Sequence, residues 1–214
     1  MLTVETLQLE WHPTAEAPPR VAPVAIAYLI HTSGTSGKPK RIPIRHESIS
    51  DRIQYHNDYM KLSDREAVLH LAGLHFDSSL VEIGMALLSG GSLIIAGPLE
   101  KSNPERLLQL LEEDAVSTSL LTPAFLQLSV ILPLPTLRHI ISTGEAAALR
   151  ETLYYARTKA FYNGYGPSEA CIGATFHKVD PQRAADYQRR GSILIGEPFK
   201  NTRVYILDGQ HRLL

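Results

Sequence analysis

The chain has a single cysteine, Cys171, in 214 residues. One thiol excludes an internal disulfide framework and any metal site built from several cysteines, and it suits a reducing compartment. With small and apolar neighbours, it reads as a core filler rather than a nucleophile. An excess of charge of either sign is also missing, with 21 Lys+Arg against 22 Asp+Glu. No basic run stands out, so nucleic acid is not an expected partner. The nine histidines form neither H-E-x-x-H nor any Cys/His spacing, which argues against a structural zinc. The first residues lack a basic stretch followed by an apolar core, so no secretory signal is read there and the expected compartment is cytoplasmic. The longest apolar stretch, residues 80–97, is interrupted by Glu82 and by Ser89-Gly90-Gly91. It reads as a helix followed by a strand, and no membrane partner is expected. Repeats and low-complexity tracts are absent.

What is present is concentrated in His31-Thr32-Ser33-Gly34-Thr35-Ser36-Gly37-Lys38-Pro39-Lys40. Glycines let the backbone turn at positive φ and bring N–H groups close to a ligand, while hydroxyl and ammonium groups supply further donors for phosphate oxygens. The apolar run Ala27-Tyr28-Leu29-Ile30 ahead of the loop reads as a buried strand that holds it at a sheet edge. A Walker A loop has the spacing G-x-x-x-x-G-K-[ST]. Here Gly34 and Gly37 are too close together and Pro39 follows Lys38, so a P-loop NTPase is set aside. An ordinary Ser/Gly turn is the other reading of the loop.

Two more segments carry chemistry. In His75-Phe76-Asp77-Ser78-Ser79-Leu80-Val81-Glu82, the pair Ser79 and Glu82 forms a capping box that starts a helix over 79–88, with Asp77 just ahead of it. Asp77 either serves that helix N-terminus, where an anion is favoured, or binds an ammonium ligand. His75 is read either as a packing residue or as a substrate contact. The second segment is Tyr162-Asn163-Gly164-Tyr165-Gly166-Pro167-Ser168-Glu169. It approaches the nucleophile elbow G-x-S-x-G, but Ala170 breaks that pattern and Pro167 obstructs the turn. Gly-Pro-Ser also serves as plain turn punctuation.

Taken in order, these segments resemble three motifs of the adenylate-forming enzymes: Y-T-S-G-[ST]-[TS]-G-x-P-K-G, F-D-x-S-x-x-E and N-x-Y-G-P-[TS]-E. The tail, with Ile195-Gly196-Glu197-Pro198, Asn201 and Leu207-Asp208, resembles the I-G-x-P-x-x-N-x-x-x-x-x-L-D segment of peptide-synthetase adenylation domains. Arg41 stands where the loop pattern has glycine. The resemblance implies ATP-dependent activation of an amino acid, or another carboxylic acid, as acyl-AMP. ATP and Mg2+ would be the cofactors and a phosphopantetheinyl carrier domain a partner. A non-catalytic nucleotide-binding or scaffold module and an acyl-CoA synthetase-like acid activator are the alternatives.

The same resemblance assigns roles. Thr32, Ser33, Gly34, Thr35, Ser36, Gly37, Lys38 and Lys40 would hold the β- and γ-phosphates, with Lys38, Lys40 and Glu169 as the catalytic charges. Gly144, Glu145, Asn163, Gly164 and Tyr165 would take the adenosine end, Gly166 belongs to the same nucleotide-binding set, Ser168 would meet the α-phosphate, and Glu169 the magnesium. Asp77 would bind the substrate ammonium. Ser78, Val81, Leu120, Ile141, Thr143, Gly164, Ile172 and Gly173 would line the acid pocket, which points to an uncharged amino acid of modest size. Complete adenylation domains add a Y-x-T-G-D motif and a C-terminal lysine. These 214 residues have neither, and read as the central part of such a core.

Periodicity gives the fold. Strand patterns over 67–71, 92–96, 116–121 and 137–142 alternate with helical ones over 46–60, 79–88, 104–113 and 147–156, and Thr122-Pro123 opens a further helix. The expected class is α/β, a doubly wound sheet whose ligands sit beyond the carboxyl ends of its strands. The resemblance implies the alternating strand-helix layers of the adenylate-forming N-terminal core, incomplete here. Pro13, Pro18, Pro19 and Pro23 mark residues 1–24 as an arm ahead of a core domain at 25–214.

Overall fold

The computed structural model describes residues 20–32, 39–127 and 132–214. Ile26–Thr32 (β1) and Lys40–Arg45 (β2) pair antiparallel as a separate two-stranded sheet, with Thr32 opposite Lys40 at its open end. The expectation of a buried β1 is therefore corrected. Only Ile30 in it is fully buried, because a two-stranded ribbon standing apart from the main sheet has no second layer over most of its length. β2 runs straight into helix α1 (His46–Met60), which closes on Lys61 in the left-handed region.

Beyond α1 strands and helices alternate: β3 (Ala67–His70), α2 (Ser78–Ser89), β4 (Ser92–Ile95), α3 (Pro98–Ser102), α4 (Pro104–Glu113), β5 (Thr118–Leu120), α5 (Pro123–Leu126), β6 (His139–Ser142), α6 (Leu149–Tyr155) and β7 (Ala160–Tyr165), of which only α3 and β7 lie outside the elements that the sequence predicts. Local signals set several of these boundaries. Asn103 Oδ1 accepts from the N–H groups of Glu105 and Arg106 (2.9 and 3.3 Å) and Pro104 takes the first helical position, so α4 starts there. Thr122 Oγ1 caps α5 in the same way through Phe125 N–H. Gly90, at φ 79°, ends α2 with its N–H directed at the carbonyls of Ala86 and Leu87.

The capping box expected at Ser79 and Glu82 does not form. α2 begins at Ser78, its cap residue Asp77 makes no side-chain capping bond, and both Ser79 and Glu82 bond to the preceding loop. The S-x-x-E pattern is satisfied by tertiary neighbours that local sequence does not reveal.

β3 to β7 form the parallel part of a seven-stranded sheet in the order β4-β3-β5-β6-β7-β8-β9, which β8 (Thr175–Lys178) and β9 (Glu197–Pro198) extend antiparallel. Alternate strand residues feed two cores. Leu69, Ile140 and Phe161 pack with Leu107 and Leu111 of α4, Leu153 of α6 and Tyr187 of α7 (Ala184–Arg190). Val68, Ile141 and Tyr162 face the other way, onto Met60 of α1 and Val81 and Met85 of α2. Both sheet faces are thus covered, as a parallel sheet requires. At the amino ends, buried Glu66 accepts from Ser117 Oγ, Thr118 Oγ1 (3.0 Å) and Arg138 Nη2 (2.8 Å), bracing β3, β5 and β6.

The order of strands reverses once. From β3 the chain crosses through α2 to β4 on one side, then returns through α3 and α4 over β3 to β5 on the other. That makes the gap between β3 and β5 a topological switch point, where loops at the carboxyl ends part and leave a crevice.

Candidate functional site

A cavity of about 560 Å³ occupies this crevice, a size that suits a small organic ligand. Its wall takes Leu71, Ala72 and Gly73 from the end of β3, Leu120 and Thr122 from β5, Thr143 and Gly144 from β6, and Gly166 to Ser168 from β7. Asp77, Ser78 and Ile172 complete the predicted residues there. Carboxyl Oδ2 of Asp77 is enclosed and has no hydrogen-bond partner among the described residues. An anion left in that state is stabilised by a cation from outside. Asp77 stands at the N-terminus of α2 but makes no side-chain capping bond there.

The pocket residues predicted from the sequence divide into two groups. Ser78, Leu120, Thr143 and Ile172 line the main cavity. Val81, Ile141, Gly164 and Gly173 surround a void of only about 20 Å³ behind it, which shares Leu120, Thr143 and Ile172 with the main cavity. Phe199 fills that recess: a Cβ on Gly173 would lie 2.8 Å from its ring. Cys171 and Ile172 both hold positive φ, 59° and 73°. A β-branched residue rarely adopts that conformation, so this wall is held by its surroundings.

A second cavity of about 680 Å³ adjoins the first, and the two share Gly144, Gly166 and Pro167. Glu145, Asn163, Gly164 and Tyr165 line it, together with Ile193 and Ile195 from the tail. Asn163 is buried and its Nδ2 donates to Leu194 carbonyl (2.9 Å), fixing that tail segment as one side of the cavity. Glycine is required at Gly166, where a Cβ would run into the backbone of Gly173 and Ala174. Gly144 sits at φ 93° between the two cavities.

Other predicted residues lie elsewhere. Ser168 reaches the first cavity, but Glu169, on the same 3-10 turn, is exposed and faces a third cavity with Arg45, Arg52, Asp51 and Arg203. Thr32 and Lys40 flank the loop at the end of the β1-β2 ribbon and line neither of the two joined cavities. Ser33, Gly34, Thr35, Ser36, Gly37 and Lys38 lie outside the described residues. Among the described residues no group of three His, Cys, Asp or Glu is placed to hold a metal. Glu169 is exposed and makes no ion pair among the described residues, so its carboxylate is free for the magnesium role that the resemblance implies.

Sequence reasoning missed four contributors. Lys101, from α3, is the one cation lining the first cavity among the described residues, and it arrives from an element with no motif of its own. Ile193 belonged to no motif, and Ile195 opened the tail motif without a site role assigned to it. Glu82 also lines the cavity, where its carboxyl meets His70 Nδ1 at 2.8 Å. Burial holds Glu82 well above the ordinary carboxylate range, against the opposing pull of the Ala72 and Leu71 N–H groups. Burial also lowers His70, with Lys101 adding to it.

A doubly wound sheet with two joined cavities at its switch point is the layout of a nucleotide-binding α/β domain. Residues 2–214 match the family model of the AMP-binding enzymes, and the chain belongs to that family. It is similar to malpinin synthetase of Mortierella alpina, 33% identical over 188 residues, and to chondramide synthase of Chondromyces crocatus, 33% identical over 204 residues. These alignments cover 86% and 95% of this chain but only 2% and 5% of those proteins. Among solved structures, the adenylation domain AlmE of Vibrio cholerae, in complex with glycyl-adenosine-5'-phosphate, matches with a TM-score of 0.78 and 26% identity, over 90% of this chain and 37% of that one. A peptide-synthetase protein containing adenylation and PCP domains matches at 0.78 and 28%, over 96% and 42%. The mostly parallel seven-stranded sheet is that of the adenylation-domain N-terminal subdomain. No helix among the described residues is long and apolar enough to cross a membrane.

Proposed function

We propose that the chain is the central part of a peptide-synthetase-like adenylation domain that activates an amino-acid carboxylate with ATP as acyl-AMP. The observation that carries this reading is the partnerless Asp77 carboxyl in a cavity that opens, across Gly144 and Gly166, into a second cavity of nucleotide size. A carboxylate oxygen of the acid attacks the α-phosphorus where the cavities meet, and pyrophosphate leaves. Such a reaction is catalysed by positioning and by fixed charge rather than by acid–base chemistry.

In this reading Asp77 takes the substrate ammonium, and Ser78, Leu120, Thr143 and Ile172 limit the side chain, with Val81, Ile141, Gly164 and Gly173 behind them. Gly144, Glu145, Asn163, Gly164, Tyr165 and Gly166 hold the adenosine end and Ser168 the α-phosphate. The loop from Thr32 to Lys40, with Lys38 and Lys40 as its cations, takes the β- and γ-phosphates. Mg2+, when bound, would supply further positive charge to the phosphates, with Glu169 as its protein ligand. Residues 25–214 form the core in this account and 1–24 an arm. The PCP domain beside the adenylation domain in one matched structure supports a phosphopantetheinyl carrier as the acceptor. The substitution of Arg41 for the usual glycine favours a second reading, a module that binds nucleotide without turning it over.

The phosphate assignment is tested by calorimetry with ATP and magnesium. Lys38→Ala with Lys40→Ala is expected to weaken ATP about 10-fold or more while AMP binding is unchanged, since each charged hydrogen bond contributes about 1.5–3 kcal/mol. Unaltered ATP affinity in the double variant contradicts the assignment.

A further inference from the structure

The segment between β3 and Asp77 is short, Leu71-Ala72-Gly73-Leu74-His75-Phe76, and its own side chains do not hold it down. Leu74 is 76% exposed and Phe76 58%. Instead it is fastened at both ends to the helix it leads into. At the near end Glu82 Oε2 accepts from Leu71 N–H and Ala72 N–H, both at 3.1 Å, and Oε1 accepts from Ala72 N–H at 3.3 Å. At the far end Ser79 Oγ donates to the Phe76 carbonyl at 2.7 Å. Between them Phe76 N–H donates to Gly73 carbonyl (2.9 Å), and the His75 ring lies over Gly73 so closely that a Cβ would come within 2.6 Å of it. Glu82 and Ser79 are buried, 1% and 0% exposed. A buried carboxyl group is retained in such a place only when its hydrogen bonds are made, and here they are made with loop N–H groups and His70.

We propose that Glu82, with Ser79, is a positioning residue: the two clamp loop 71–76 against α2 so that Asp77 presents its carboxylate to the cavity, and selection for an ammonium-bearing ligand runs through that clamp. The inference rests on the reading of Asp77 given above. Glu82 touches no ligand in this account. It acts by fixing the one residue that does, and a misplacement of about 1 Å at such a contact costs on the order of 100-fold.

The test uses two probes that differ only in the ammonium group, 5′-O-(N-glycylsulfamoyl)adenosine and its N-acetyl counterpart, with AMP as a reference for an intact fold. In calorimetry on the whole chain, Glu82→Ala is expected to lower the glycyl-over-acetyl preference about 10- to 100-fold with AMP affinity unchanged. Glu82→Gln keeps an oxygen for the loop N–H groups and is expected to retain the preference. Adding Asp77→Asn to Glu82→Ala should lower it no further, because both changes remove the same contact. Ser79→Ala releases the far end, is expected to act in the same direction, and carries the test if Glu82→Ala does not fold. An unchanged preference, equal weakening of all three ligands, or Glu82→Gln as damaging as Glu82→Ala each overturns the clamp. A wild-type chain that binds AMP and both analogues with no preference overturns the Asp77 reading, and the clamp with it.

Discussion

Asp77 carries the most chemistry of any residue here. Its carboxyl has an enclosed oxygen with no partner among the described residues, it makes no capping bond to α2, and it stands in the wall of the cavity at the switch point. Replacing it by Asn keeps the shape and removes the charge. Asp77→Asn is expected to weaken an aminoacyl-adenylate analogue by about 10- to 100-fold, the loss of one charge-assisted hydrogen bond, while AMP binds as before. Calorimetry with both ligands checks this, and equal affinity of the variant and the wild type for the aminoacyl analogue places the ammonium elsewhere. Glycines matter at this scale too, since Gly166 lies against the Gly173-Ala174 backbone at the point where the two cavities join.

At the scale of elements, α1 supplies a pH dependence. His56 is buried between Phe176 and Phe199, with ring centroids 5.0 and 5.3 Å away, and its Nδ1–H donates to the Arg52 carbonyl at 2.7 Å. Burial lowers its pKa from 6.5 to about 4. Between those values the unfolded chain binds more protons at this residue than the native one, so its contribution to stability falls as the pH falls through the window. The loss reaches about 3 kcal/mol at the acid end. Urea midpoints of wild type and His56→Gln, compared from pH 7 to pH 4, should converge as the pH drops, and a constant difference contradicts a buried neutral His56.

The elements also show what could be read from the sequence. α4 was legible because Asn103-Pro104 marks its start and the apolar period of Leu107 and Leu111 is helical. The motifs put Asp77, Thr143, Gly144 and Ser168 at strand ends, and the sheet gathers them into one cavity. Glu82 was misread because S-x-x-E looks the same whether its partners are the helix's own N–H groups or those of a loop folded back from β3. Lys101 was invisible because it reaches the cavity only through the crossover from β4. β1 was expected to be buried because an apolar run does not reveal whether a second layer will cover it.

For the whole molecule, the sheet places two joined cavities side by side, while Glu169 and the ends of the β1-β2 ribbon stand outside both. These 214 residues contain no Y-x-T-G-D motif, and the chain is expected to bind adenylates without turning over. Each missing charge-stabilising group costs about 100- to 1,000-fold, so pyrophosphate exchange with a panel of amino acids should give no signal. Robust, substrate-specific exchange would mean that groups within this chain replace the missing ones. The central claim is that one ligand spans both cavities with its ammonium on Asp77. Its most direct measurement is calorimetric titration of the wild-type chain with AMP and with a panel of aminoacyl-sulfamoyl adenosines. The account predicts that the best aminoacyl analogue binds at least about 10-fold more tightly than AMP and competes with it for one site; independent binding of the two, or equal affinity across the panel and AMP, contradicts it.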